Sequence, residues 1–332
     1  MEAGCCFFGN RSQETTVGDR LPDARGGNPR DVTMHPGQLE VSLETVRQLV
    51  DEQFPQWRFM PIEPVAVVGT VNALFRIGEH IAARLPLAPA NVGATRRRLQ
   101  SEAAAARELL GRTRFATPEP VAVGEPGAGY PLPWSIQTWL PGTTGSDADP
   151  GDSVAFAHDL AEFVRDVRAI DPNGRTFSSG SGRGGNLRDH DEWMETCFEN
   201  SEQLLDVPRL RRLWRVLRDL PTSPSSELMT HGDLTPGNVL VHDKRLVGVI
   251  DVGGLGPADP ALDLVAAWHL LEEVPRQSLR DDLGCGDIEW ERGKAWAFEQ
   301  AMGAAWYYVD SNRPVHQMGM RTLARILAES CV

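Results

Sequence analysis

THGDLTPGNVLVHDKRLVGVID, residues 230–251, carries an aspartate (Asp233), an asparagine five positions on (Asn238) and a second aspartate thirteen beyond that (Asp251). Between the last two lie the apolar runs Val239–Val241 and Leu246–Ile250, which read as the strands of a hairpin with Asp243-Lys244-Arg245 as its polar turn. Such a hairpin returns Asn238 and Asp251 to neighbouring strand ends. The residue types then point to phosphoryl transfer, in which the protein mainly positions charge. That chemistry needs one carboxylate beside the attacking hydroxyl and hard oxygen ligands for a Mg²⁺ that bridges the phosphates. Asp233 suits the first role, as the base. Asn238 and Asp251 suit the second, because Mg²⁺ takes one or two carboxylates alongside phosphate oxygens and water. An isolated H-x-D would read more simply as an Asx-rich loop leading into a buried hairpin, with His231 structural.

His231-Gly232-Asp233 with Asn238, followed by Asp251-Val252-Gly253, resembles the protein-kinase pattern H-R-D-x-x-x-x-N and D-F-G. Gly232 in place of Arg, and Pro236-Gly237 before the asparagine, resemble the aminoglycoside phosphotransferase family of the protein-kinase-like superfamily. The resemblance implies an α+β, bilobal protein-kinase-like fold. An antiparallel-sheet N-lobe over residues 38–140 would bind nucleotide, and a mainly helical C-lobe over 141–332 would hold the catalytic and substrate-binding groups. It implies ATP or GTP as co-substrate, with Mg²⁺. Val252 in place of Phe leaves no counterpart to the packing switch of regulated kinases.

Residues 1–37 are rich in Gly, Arg, Asp, Pro and Asn without an apolar period, and are expected to be a disordered tail. A helix follows from Ser42, with Leu43, Val46, Leu49, Val50 and Phe54 at helical spacing and Pro55 as its stop. Ile62–Val68, Ala73–Ile77 and Glu79–Leu85 read as three antiparallel strands, and Pro118–Val123 and Trp134–Leu140 as two more. By the resemblance, the turn containing Gly69 and Thr70 covers the nucleotide phosphates; a plain hairpin turn explains it as well. Arg84 stands where the family has a Lys that holds the α- and β-phosphates, and a guanidinium can bind phosphate bidentately. An exposed strand-end Arg is the alternative. A helix from Arg96 to Leu110 offers Glu102 as the partner of Arg84, on a face with Leu99, Ala106 and Leu109; Glu108 is its competitor. The segment Ile136–Gly142, with Gln137 and Trp139, would be the interlobe hinge that meets the base.

Beyond a polar link, the C-lobe opens with a helix over Ser153–Ile170, then a Gly/Ser-rich loop over Asp171–Arg188 long enough to be a mobile element near the substrate. Helices are expected at about Asp189–Leu205, Pro208–Leu220, Ala261–Leu271, Trp290–Val309 and Gln317–Leu327. Asp259 and Asp263 match the family segment that braces the catalytic loop, although an N-cap role accounts for Asp259 by itself. A net charge of −13 argues against nucleic acid or an anionic membrane as partner and agrees with a cationic small molecule. Asp189, Asp191, Glu192, Glu195, Glu272, Glu273, Asp281, Asp282, Asp287, Glu289 and Glu291 could steer such a substrate, or be solvated helix faces. The five cysteines show no metal or disulfide spacing, and the opening residues lack a basic n-region, so a cytoplasmic enzyme is expected. The reading is phosphotransfer to a hydroxyl of an aminoglycoside-type antibiotic. A metabolic kinase for a sugar, choline-like or amino-alcohol substrate shares every residue named, and a silent nucleotide-binding module is the remaining alternative.

Overall fold

The computed structural model of the chain describes residues 37–65, 71–177, 183–222 and 227–329. The tail expected over residues 1–37 lies outside them except for Gly37, and so does the proposed phosphate turn at Gly69 and Thr70.

Helix α1 (Leu43–Gln53) forms as its apolar spacing implies: Val46, Leu49 and Val50 are fully buried, and the Ser42 side chain accepts from the Thr45 amide at its start. Pro55 closes it and opens one 3₁₀ turn. The helix packs on a five-stranded antiparallel sheet of β1 (Ile62–Pro64), β2 (Asn72–Ile77), β3 (Ile81–Pro86), β4 (Pro120–Gly124) and β5 (Trp134–Thr138). Their order is β1-β2-β3-β5-β4, which sets β3 directly beside the strand that leads to the hinge. Between β3 and β4 runs α2 (Val92–Leu109). It begins a turn before the expected Arg96 because the Asn91 side chain caps the Ala94 amide at 3.1 Å, a start signal that Gly93 obscures in the sequence. Ala105, Ala106 and Leu109 of this helix bury in the core of the other lobe.

The C-lobe follows with β6 (Thr143–Thr144), α3 (Gly145–Ala148), α4 (Val154–Arg168), α5 (Asp191–Ser201) and α6 (Val207–Leu217). Two small sheets carry the 230–251 stretch: β7 (Leu228–Thr230) pairs with β10 (Gly256–Ala258), and β8 (Val239–His242) with β9 (Arg245–Val249). The β8–β9 turn is shorter than anticipated. Asp243 and Lys244 both take the left-handed conformation of a two-residue hairpin turn, and Arg245 already belongs to β9.

Helices α7 (Val265–Leu270), α8 (Glu273–Leu283), α9 (Asp287–Tyr307) and α10 (Arg313–Glu329) complete the lobe. The sequence pattern did not signal α8, whose buried residues are Pro275, Arg276 and Leu279, too few apolar side chains to mark a face. Its proline is tolerated because it lies in the first turn. Helix α9 is the pillar of the core, with Trp290 and Trp296 buried as expected of core aromatics. Among the described residues no helix is long and apolar enough to cross a membrane, and Cys197 and Cys285 are free thiols.

Candidate active site

The loop between β7 and β8 is held from below. Asp263, fully buried, accepts the His231 amide at 2.9 Å and the Gly232 amide at 2.8 Å, so two loop donors end on one carboxylate. Gly232 has φ 79°, a left-handed value that disfavours any side chain where kinases carry Arg. His231 is fully buried. Its Nδ1 accepts the Asp233 amide at 3.2 Å, which assigns the ring proton to Nε2, 3.2 Å from the Ile250 carbonyl that receives it. Asp259 caps the turn that carries Asp263: it accepts from the Ala261 amide at 3.0 Å, from Arg292 Nε at 2.8 Å and from the Trp296 indole at 3.2 Å. Backbone groups and buried side chains thus fix the loop, and its two acidic braces lie where the sequence led one to look.

Asn238 and Asp251 lie at neighbouring ends of the hairpin strands. The Ile250 amide donates to the Asn238 carbonyl at 2.8 Å, and Asn238 Nδ2 donates to the Asp233 carbonyl at 3.0 Å, which turns the amide oxygen away from the loop. Asp251 sits at φ 59°, ψ 47°, a conformation costly for a non-glycine residue and concentrated at functional sites. Its side chain remains 41% exposed toward the cleft. An amide oxygen and a carboxylate are hard donors that fit Mg²⁺. Phosphate oxygens and water would complete the coordination of an ion held by these two donors.

Across the cleft, Arg84 on β3 reaches Asp251 Oδ1 at 2.8 Å, comes within 3.4 Å of Gln137 Oε1 and stands 3.9 Å from Glu102 Oε2. The expected Arg84–Glu102 pairing is therefore the looser contact. Glu102 bonds Arg98, one turn earlier on α2, at 2.8 Å, while Arg84 joins the two lobes through Asp251. Loss of water around the Asp251 carboxyl pushes its pKa up, but the Arg84 guanidinium outweighs this and holds it below the ordinary carboxylate range. Glu108 faces away and pairs with Arg175, Nη1 to Oε2 at 2.9 Å. A cavity of about 90 Å³ runs between α2 and the sheet, lined by Arg84, Glu102, Gln137, Val252 and Gly253 among others. Trp139 does not join this group. Its ring lies under the Arg76 guanidinium, 5.4 Å from centroid to Cζ, and its amide donates to the His80 carbonyl at 2.7 Å.

Sequence reasoning missed Arg183. It follows the undescribed residues 178–182 of the Gly/Ser-rich loop, and its Nη1 donates to Asp233 Oδ1 and, at 3.2 Å, to the Gly232 carbonyl. The only signal was an arginine followed by two glycines, Gly184 and Gly185. The acidic residues expected to border the substrate mostly have basic partners: Asp191 pairs with Arg218, Glu195 with Arg211, Glu272 with Arg325, Asp282 with His158, Glu289 with Arg168 and Glu291 with Lys294.

A family model matches residues 69–296, more than two thirds of the chain, and it is that of the phosphotransferase enzyme family. The chain belongs to the phosphotransferase enzyme family. The β7–β8 loop, the β8–β9 hairpin and α2 all fall inside the matched span. An Escherichia coli aminoglycoside 3'-phosphotransferase is 30% identical over 149 residues, 42% of this chain and 53% of that protein, so the chain spans about half the length of this curated relative. Among solved structures, the GDP complex of wild-type aminoglycoside 2'-phosphotransferase-IIIa superposes with a TM-score of 0.64 at 19% identity, covering 85% of this chain and 97% of the other. A macrolide 2'-phosphotransferase from Brachybacterium faecium gives a TM-score of 0.55 at 16% identity, with 85% and 97% covered. At these identities the likeness is one of fold, and the family member shares their bilobal α+β architecture.

Proposed function

We propose that the protein transfers the γ-phosphoryl group of ATP or GTP to a hydroxyl of a small cationic molecule, an aminoglycoside-type antibiotic being the leading substrate class. The observation that carries this reading is that one loop and hairpin hold Asp233, Asn238 and Asp251 together in the fold, Asn238 bonding the Asp233 carbonyl and pairing with Ile250, and Arg84 bonding Asp251 across the cleft. Asp233 orients the substrate hydroxyl and accepts its proton, with its backbone fixed by His231 and Asn238. Arg84 supplies a fixed cation for the α- and β-phosphates, with Glu102 and Gln137 limiting its swing. Asn238 and Asp251 would hold Mg²⁺, which when bound neutralises phosphate oxygens. Relatives named as aminoglycoside 3'-phosphotransferases support the substrate class.

A second reading, a kinase for a neutral or singly charged alcohol, is favoured by the internal pairing of the acidic helix residues, which leaves less negative surface to attract a polyamine. Nucleoside diphosphate release separates the two. Under the first reading, release with Mg²⁺ and either nucleotide rises with an aminoglycoside and not with sugars or amino alcohols. The reverse preference would replace it with the second.

A further inference from the structure

The side chain of Arg183 reaches the site from a segment that supplies none of Asp233, Asn238, Asp251 and Arg84. Its guanidinium is bonded to the Asp233 carboxylate and the Gly232 carbonyl and is only 16% exposed. Arg183 therefore pairs with the Asp233 carboxylate from the C-lobe side, while Arg84 pairs with Asp251 from the N-lobe side.

The backbone behind it is built rather than incidental. Gly184 and Gly185 have φ 99° and 85°, and a Cβ on either would lie 3.0 or 3.1 Å from the ring of Phe177, so side chains are disfavoured twice over. His190 Nε2 lies 3.3 Å from the Gly184 carbonyl, and its Nδ1 lies 3.1 Å from Glu299 on α9, which ties the arginine's own backbone to the pillar of the lobe.

Resting on the phosphotransferase reading above, we propose that Arg183 is a second catalytic cation: it binds oxygens of the transferred phosphoryl group and at the same time orients the Asp233 carboxylate. A guanidinium offers five donors in a planar fork, enough to serve a carboxylate and a phosphoryl group together. It stays protonated throughout, so it does not compete with Asp233 for the substrate proton. In the step itself the substrate oxygen forms a bond to the γ-phosphorus, and the bond from that phosphorus to the β,γ-bridging oxygen breaks. That bond's electron pair leaves with the nucleoside diphosphate, the hydroxyl proton goes to Asp233, and Arg183 exchanges neither proton nor electrons. Its part is to stabilise charge on the group in flight, where fixed donors act most strongly.

The test needs no turnover. Equilibrium binding of Mg²⁺ with non-hydrolysable ATP and GTP analogues, and with ADP and GDP, is measured for the wild type, Arg183→Met, Arg183→Gln and Arg183→Lys. Loss of a charge-assisted contact to the terminal phosphate predicts triphosphate analogue affinity down ~10-fold or more in the Met and Gln variants, with diphosphate affinity within about twofold. Lys, keeping the charge without the fork, recovers part of the difference. Phosphoryl transfer in the Met variant should fall ~10²-fold in kcat. A folded variant that keeps both affinities, or loses both equally, overturns the proposal and leaves Arg183 a structural brace. If Arg183→Met fails to give a cooperative melt, the Gln variant decides by the same criterion. A wild type that binds neither class of nucleotide overturns the phosphotransferase reading itself, a separate result from an unselective Arg183 effect.

Discussion

A base that accepts a hydroxyl proton must reach its substrate while its own backbone stays still, and the contacts around Asp233 divide that work. His231 and Asn238 hold its amide and carbonyl, Asp263 holds the two residues before it, and only the carboxylate faces the cleft. Asp233→Asn keeps those backbone contacts and removes the basic oxygen. It should lower kcat ~10²-fold or more while the variant still melts cooperatively and nucleotide KM stays near that of the wild type. Steady-state kinetics beside a thermal melt would check this, and an unchanged kcat would remove Asp233 from the mechanism. The residues proposed for the chemistry in the 230–251 stretch could be singled out from the chain because they are close in sequence and of types that few other roles require. Arg183 could not, because its contact with Asp233 spans fifty residues and depends on a backbone path set by two glycines, Phe177 and His190.

At the scale of elements, two joints position the site. One is the approach of α2 to the loop after β9. A Cβ on Gly253 would lie 2.7 Å from Glu102 Cγ and 3.3 Å from its Cβ, so the helix itself would have to move. Gly253→Ala alters no charge and yet should lower kcat/KM for nucleotide, by ~10-fold and up to ~10²-fold for a displacement near 1 Å. Kinetics indistinguishable from the wild type would mean that the α2 position is not coupled to the site.

The other joint is Asp159 of α4, whose buried carboxylate receives Arg114 and Arg245 and the Leu246 amide, tying the post-α2 segment to the β8–β9 hairpin. Burial pushes this carboxyl up, but Arg245 and Arg114 together outweigh it and the net direction is down. A carboxyl held below its unfolded value adds stability that is complete above the unfolded pKa, ~4, and is lost as pH falls through the folded one. Asp159→Asn should therefore cost about 1–2 kcal/mol at neutral pH, the two arginines being half exposed. The gap from the wild type should close in acid; urea melts at both pH values would find it, and a gap independent of pH would contradict the ionic account. Elements with a clear apolar period, α1 and α4, could be read from the chain almost to the residue. The start of α2 and the whole of α8 could not, because a glycine hides the one and a mostly polar surface the other.

For the whole molecule, the lobes are joined more firmly than by a hinge strand alone. Arg84 bonds Asp251 across the cleft, the end of α2 buries in the C-lobe core, and the Ala116 backbone pairs with β9, accepting the Val249 amide at 2.9 Å and donating to the Val247 carbonyl at 3.1 Å. The bilobal plan was legible because a few motif residues imply it through family resemblance. The substrate surface was not, since most of the carboxylates that looked available in sequence turn out to have arginine, lysine or histidine partners. The central claim is phosphoryl transfer by Asp233 to a small-molecule hydroxyl. Its most direct test is mass spectrometry of a mixed panel of aminoglycosides, macrolides, sugars and amino alcohols incubated with the purified protein, Mg²⁺ and ATP or GTP, with Asp233→Ala alongside. The account predicts that at least one cationic compound gains the mass of one phosphoryl group with the intact protein and none does with the variant. A panel left unmodified by the intact protein, or modified equally by both, would contradict it.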